Sequence, residues 1–184
     1  MIARTVHYIL KMLPGFLAAA AVYGCAFPRR KRRLAEKGLI SPWVREGVLL
    51  LFAMFAGGMA AITLTPRGFD WMALIGGNWT GSFFSLGNVN LVPFATFGDL
   101  YILVGNIVMF LPFGFFPALL FRNYNWRKAL FAGFCVTAFI EITQLFVGRA
   151  FDIDDLMLNT LGAFCGFLLQ KALGRGLYCI PAGK

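Results

Sequence analysis

The stretch LYILVGNIVMFLPFGFFPALLF, residues 100–121, runs for 22 residues without a single charge. Wound as a helix at about 1.5 Å per residue, it crosses the roughly 30 Å hydrocarbon core of a bilayer. Four more segments share its character: residues 6–27, 47–65, 129–147 and 156–173, each between 18 and 22 residues long. The sequence therefore predicts an all-α integral membrane protein, a bundle of about five transmembrane helices. Composition agrees. Of 184 residues, 59% are hydrophobic and only 14% charged, whereas a soluble domain carries about a quarter charged residues to cover its surface. The 21 phenylalanines suit lipid-facing and interhelical packing alike.

The net charge of +9 raises the question of nucleic acid, and its distribution answers it. Arg29, Arg30, Lys31, Arg32 and Arg33 form one run directly after the first apolar segment. Basic residues so placed orient a cytoplasmic loop and are compatible with anionic-lipid contact. The stretch 28–46 holds seven Lys/Arg, the stretch 122–128 holds three, and Lys171, Arg175 and Lys184 follow. With five spans, these thirteen of the 17 basic residues fall on one side. That side is expected to be the cytoplasm, with the amino terminus outside and the carboxyl terminus inside. Arg4 and Lys11 dissent. The resulting division is a first helix with a basic cytoplasmic loop (1–46), a transmembrane domain (47–173) and a cytoplasmic tail (174–184).

A rival reading concerns the amino terminus. Arg4, His7 and Lys11 before residues 13–24 resemble a signal peptide, and Val22-Tyr23-Gly24-Cys25 faintly resembles a lipoprotein cleavage site. Cleavage there leaves the basic run outside, against the charge rule, so the first segment is read as a membrane helix. The four cysteines, Cys25, Cys135, Cys165 and Cys179, show neither a CxxC pair nor metal-ligand spacing, so neither a disulfide framework nor a zinc site is expected. No cofactor is expected either. The stretch 66–99 carries Arg67, Asp70 and Asp99 as its charges, with Gly76, Gly77, Gly81, Gly87 and Pro93. It is expected to form turns, lie along or dip into the membrane surface, and hold Trp71 and Trp79 at headgroup level.

Glu141 is the one acidic residue well inside a span, and an ionisable residue there costs about 2.5–3.5 kcal/mol on insertion scales. It lies about 10 Å below the outer boundary, Gln144 about 6 Å, Asn106 about 9 Å and Asn159 about 6 Å at helical rise. Three successive helices thus bring a carboxylate and three amides to similar depth, where such groups need one another, water or a ligand. Above them run Gly148-Arg149-Ala150-Phe151-Asp152-Ile153-Asp154-Asp155. Asp154 and Asp155 suit a helix start, capping accounting for one of them. Arg149 either pairs with Asp152 or Asp155 and fixes the loop, or receives a ligand's phosphate or carboxylate. The candidate ligand-binding set is Asn106, Glu141, Gln144, Arg149, Asp152, Asp155 and Asn159. Gly162 and Gly166 form a GxxxG for close helix approach, and Pro112 with Gly114 is expected to interrupt and kink the third segment.

These residues also carry a family likeness. Asn90-Leu91-Val92-Pro93-Phe94, then Gly105-Asn106-Ile107-Val108-Met109-Phe110-Leu111-Pro112-Phe113-Gly114, then Glu141-Ile142-Thr143-Gln144 with Arg149, Asp152-Ile153-Asp154-Asp155 and Asn159-Thr160-Leu161-Gly162-Ala163 resemble the motifs of VanZ-like membrane proteins. The likeness covers roughly residues 47–173. Phe139 departs from it, because a small hydroxyl residue is commoner nearby; Thr137 partly takes that place. The resemblance implies a bacterial envelope protein, with low-level teicoplanin resistance associated with the eponymous member, and supplies no reaction.

Three functions are weighed. An outward-facing polar pocket would recognise an amphipathic envelope molecule, a membrane lipid, a lipid-linked wall intermediate or a lipoglycopeptide. An outer-leaflet enzyme would use Glu141 with Asp152 or Asp155 as acid and base, or hold Mg²⁺ beside a phosphate. A structural or partner protein would use the same groups only for packing. With no His near the cluster and no nucleophile motif, the balance leans away from an enzyme.

Overall fold

The computed structural model describes residues 2–66, 69, 71–78, 83–95, 98, 100–174 and 176–182, the side chains of residues 2–9, Trp71 and Met72 excepted. Arg67, Asp70, Trp79, Gly81, Asp99, Arg175 and Lys184, and the side chains of Arg4, His7 and Trp71, on which several expectations rest, lie outside the described set.

Five helices are long and apolar enough to cross a membrane: α1 (Ile2–Glu36), α2 (Trp43–Thr63), α4 (Leu100–Leu120), α5 (Trp126–Phe146) and α6 (Ile153–Leu173). A short α3 (Trp71–Ile75) lies between α2 and α4. Four two-residue strands complete the described elements: β1 (Leu39–Ile40), β2 (Val89–Asn90), β3 (Phe151–Asp152) and β4 (Ile180–Pro181). Large apolar side chains point outward along the helices, Tyr101 at 88% and Phe131 at 71% exposure among them. Lipid is the solvent that such faces suit.

The basic stretch 28–46 differs from the loop expected. α1 continues through Pro28 and the Arg29–Arg33 run to Glu36. Arg, Lys, Leu, Ala and Glu are good helix formers, so the run propagates the helix once it has begun. A turn at Lys37 and Gly38 follows, Gly38 taking φ 64°, and α2 opens at Trp43 behind Pro42. The third apolar segment is likewise uninterrupted: α4 is one helix containing Pro112 and Pro117. In a membrane, neighbouring helices can re-satisfy the groups a proline frees.

Glycines set the helix spacing. At Gly166 a side chain would collide with the carbonyl of Leu111, and at Gly162 with that of Ile107. The GxxxG face of α6 therefore lies directly against the α4 backbone, and α5 packs on α6 beside it. Apolar burial between membrane helices gains little over lipid, so close contact of this kind holds such a bundle. Met59 of α2, Phe110 of α4 and Ile140 of α5 form the core between three helices, each under 8% exposed. α1 packs against α2.

The connections gather at two ends. At one, β1 pairs antiparallel with β4, Leu39 opposite Pro181 and Ile40 opposite Ile180. Ala182 N–H donates to Gly38 O at 2.7 Å and Leu177 N–H to Leu119 O at 2.7 Å. The α1–α2 turn, the α4–α5 turn and the tail after α6 thus meet at one basic end. At the other, acidic end, β2 pairs parallel with β3.

Candidate functional site

The acidic end is built on the way α5 stops. Gly148 takes the left-handed conformation (φ 75°) that glycine adopts without steric penalty. Arg149 N–H then turns back to Gln144 O at 2.9 Å, half of the usual glycine-ended helix stop. The other carbonyls of the last turn are taken by a separate piece of chain. Ser85 N–H donates to Phe146 O at 3.1 Å, Gly87 N–H to Leu145 O at 2.7 Å, and Gly148 N–H returns to Ser85 O at 2.8 Å. Phe151 N–H donates to Asn88 O at 2.8 Å, and β2 follows in register, Val89 beside Phe151 and Asn90 beside Asp152. Residues 85–90 are therefore hydrogen-bonded onto the α5–α6 connection.

Asp152 is the hub. Its Oδ1 accepts Asp154 N–H at 2.9 Å, making it the N-cap of α6. The capping role thus falls on Asp152, ahead of both Asp154 and Asp155, one of which is expected from sequence to fill it. Extended backbone at Asp152 (φ −124°, ψ 125°) is the conformation an N-cap needs, and places Asp154 and Asp155 in the first turn. Asp152 Oδ2 accepts Asn90 Nδ2 at 3.1 Å. Its own N–H donates to Glu141 Oε2 at 2.9 Å. Glu141 is 1% exposed, so its carboxylate is buried with a backbone donor from the loop above it.

Asp154 is fully buried and accepts Phe94 N–H at 2.6 Å. Phe94 adopts φ 66°, uncommon for a residue with a side chain. Asp155 is hydrogen-bonded to Asn106 Nδ2 of α4. Deeper, Asn159 Nδ2 donates to Thr137 Oγ1 at 2.9 Å, one turn along α5 from Glu141. Thr137 is fully buried and Asn159 is 4% exposed, its Oδ1 without a hydrogen-bond partner among the described residues. On the α2 side, Gln144 Nε2 donates to Thr63 O at 3.2 Å. Arg149 Nη1 donates to Ile62 O at 2.6 Å and Thr63 O at 3.2 Å. A cation on the last carbonyls of a helix complements its dipole.

All seven sequence-derived candidates thus sit at the acidic end, and their hydrogen bonds tie α2, α4, α5 and α6 together. Glu141, Asp152 and, through Asn90, residues 85–94 form one connected set; Asn106 with Asp155 and Asn159 with Thr137 form two interhelical pairs. The hydrogen bonds of Gln144 and Arg149 reach α2 carbonyls, a destination the sequence did not suggest. Asn90, Phe94 and Thr137 were absent from the candidate set. The motif spanning residues 90–94 signals the first two, and the departure at Phe139 signals Thr137. Among the described residues no group of three or more His, Cys, Asp or Glu converges to hold a metal ion. The two cavities described lie away from this cluster. One of about 550 Å³ lies between α1 and α2 near the basic end, and one of about 440 Å³ is lined by Phe115, Leu119, Gln170 and Leu173.

Five apolar helices, with polar groups gathered at one end, define a multi-pass α-helical membrane protein. The chain belongs to the VanZ/LLP1 family, whose model matches residues 48–174. It is also similar to Protein VanZ of Enterococcus faecium, 30% identical over 83 residues. That alignment takes in 45% of this chain and 52% of the relative, so the match spans about half of that protein's length. No solved structure matches.

Proposed function

We propose that this protein acts at the outer face of the bacterial cytoplasmic membrane, where its acidic end recognises the polar part of an amphipathic envelope molecule and lowers susceptibility to teicoplanin. The basic end faces the cytoplasm by the positive-inside rule. The amino terminus is then outside and the carboxyl terminus inside. Family membership supports the envelope role.

The observation that carries the site is Asn159. Its amide oxygen, in a residue 4% exposed, has no hydrogen-bond partner among the described residues, and its amide nitrogen bonds a buried Thr137 that lies one turn along α5 from Glu141. A buried acceptor without a donor is costly, by about 1–3 kcal/mol, and a ligand hydroxyl or amide would satisfy it. Asp155 and Asn106 would line the same approach, with Arg149 and Asp152 at the mouth. Both Asp152 oxygens already accept hydrogen bonds, which disfavours Asp152 as an acid–base partner of Glu141.

The test is susceptibility to teicoplanin and vancomycin in a sensitive host, comparing wild type with Glu141→Gln at matched membrane expression. The glutamine can still accept the Asp152 N–H, so loop and fold are kept while the charge is lost. Protection against teicoplanin that the variant loses supports the reading. Absence of protection from wild type overturns the resistance role.

A further inference from the structure

The cavity of about 550 Å³ between α1 and α2 takes no part in the acidic-end network, and its lining is distinctive. Phe27, Leu34, Leu39 and Leu50 supply apolar wall, while Arg30 and Lys31 stand on the α1 side. Trp43, which also lines it, is 81% exposed at the start of α2. An amphipathic ring there marks headgroup depth.

The charges do not cancel. Glu46 accepts Tyr23 Oη–H at 2.6 Å and is ion-paired with Arg30. The same carboxylate also serves Arg45, 3.9 Å away. Arg45 is 7% exposed, donates to the cavity-lining Ser41 at 3.0 Å, and its Nε has no hydrogen-bond partner among the described residues. Two guanidiniums therefore share one carboxylate; Arg30 and Lys31 line the cavity, and Arg45 stands behind Ser41, outside the lining. At the mouth the Arg29–Arg33 run meets Glu36 through Arg32 alone in the ion pairs described.

We propose that this cavity binds an anionic phospholipid of the leaflet that meets the basic end, the phosphate held by Lys31 and Arg30 and an acyl chain against the apolar wall. A volume of this size matches a small-molecule site. Basic pockets between membrane helices select phosphate-bearing head groups. The proposal does not depend on the acidic end.

The experiment uses the full-length protein in a neutral detergent. Its melting is followed while phosphatidylglycerol, phosphatidylcholine or inorganic phosphate is titrated in. Phosphatidylglycerol is expected to stabilise the wild type well beyond the other two. Lys31→Gln removes one exposed cation and is expected to weaken the apparent phosphatidylglycerol affinity about fivefold. Ala35→Trp fills the cavity from its exposed rim and is expected to weaken it at least as much. Melting without lipid checks that both variants fold. Equal stabilisation by phosphatidylcholine overturns the proposal, as does stabilisation by phosphate alone, which would indicate a free-anion site. Unchanged phosphatidylglycerol affinity in Ala35→Trp also overturns it, even if Lys31→Gln weakens binding, because surface charge alone would then account for the lipid.

Discussion

Replacing Asp152 with alanine is expected to release the chain segment around residues 85–94 from the helices beneath it. The side chain makes two bonds: the cap to Asp154 N–H at 2.9 Å and the acceptor for Asn90 Nδ2 at 3.1 Å. A lost N-cap costs about 1 kcal/mol. A hydrogen bond to a charged group contributes about 1.5–3 kcal/mol, and the half-buried setting of both residues puts this one at the low end. Together the loss is about 2–3 kcal/mol. If protection reports local opening, the amide of Asp154 exchanges roughly thirtyfold faster or more in Asp152→Ala. The assay is hydrogen exchange by mass spectrometry on peptides covering residues 83–95 and 147–156. Asp152→Asn keeps an acceptor for the cap and is expected to lose about half as much. Adding Asn90→Ala to Asp152→Ala is expected to cost only the exposed bond that Asn90 Oδ1 accepts from Val92 N–H at 3.2 Å, because the partners already share the other loss. Wild-type exchange in Asp152→Ala, or full additivity of the two substitutions, would refute the hub.

Gly166→Val drives a side chain into the carbonyl of Leu111 and is expected to destabilise by about 1–3 kcal/mol in a detergent melt. Gly105→Ala, with open space around it, serves as the tolerated control. Thr137→Val leaves the buried Asn159 amide N–H without its acceptor and is expected to lower stability by about 1–3 kcal/mol; adding Asn159→Leu recovers that, since both polar partners are then gone. Cysteines at Leu39 and Pro181, directly opposed in the β1–β4 pair, are expected to oxidise to an intramolecular disulfide once the four native cysteines are replaced, read as resistance to alkylation.

How far the sequence reached is clearest residue by residue. The five spans were legible because apolar runs of about twenty residues with at most one charge have one common solution. The end of α1 was not, because a basic run after an apolar one signals a side of the membrane without saying whether the backbone stays helical. Depth counting placed Asn106, Glu141, Gln144 and Asn159 at one end of the bundle, where the structure has them. It missed their partners for a physical reason. Gln144 and Arg149 bond to backbone carbonyls of Ile62 and Thr63, and every residue offers such a carbonyl. The β2–β3 pairing is two residues long, too short for any alternation, and its register is set by how α5 ends. Asn90 was therefore visible in a motif and invisible as a contact.

The most direct measurement is side-specific labelling of a single cysteine at Ala150, an exposed position in the loop between α5 and α6, in a background where Cys25, Cys135, Cys165 and Cys179 are replaced. The account predicts that a membrane-impermeant maleimide labels it from outside intact spheroplasts, and that teicoplanin slows the reaction. Labelling only after permeabilisation would put the acidic end in the cytoplasm and contradict the account.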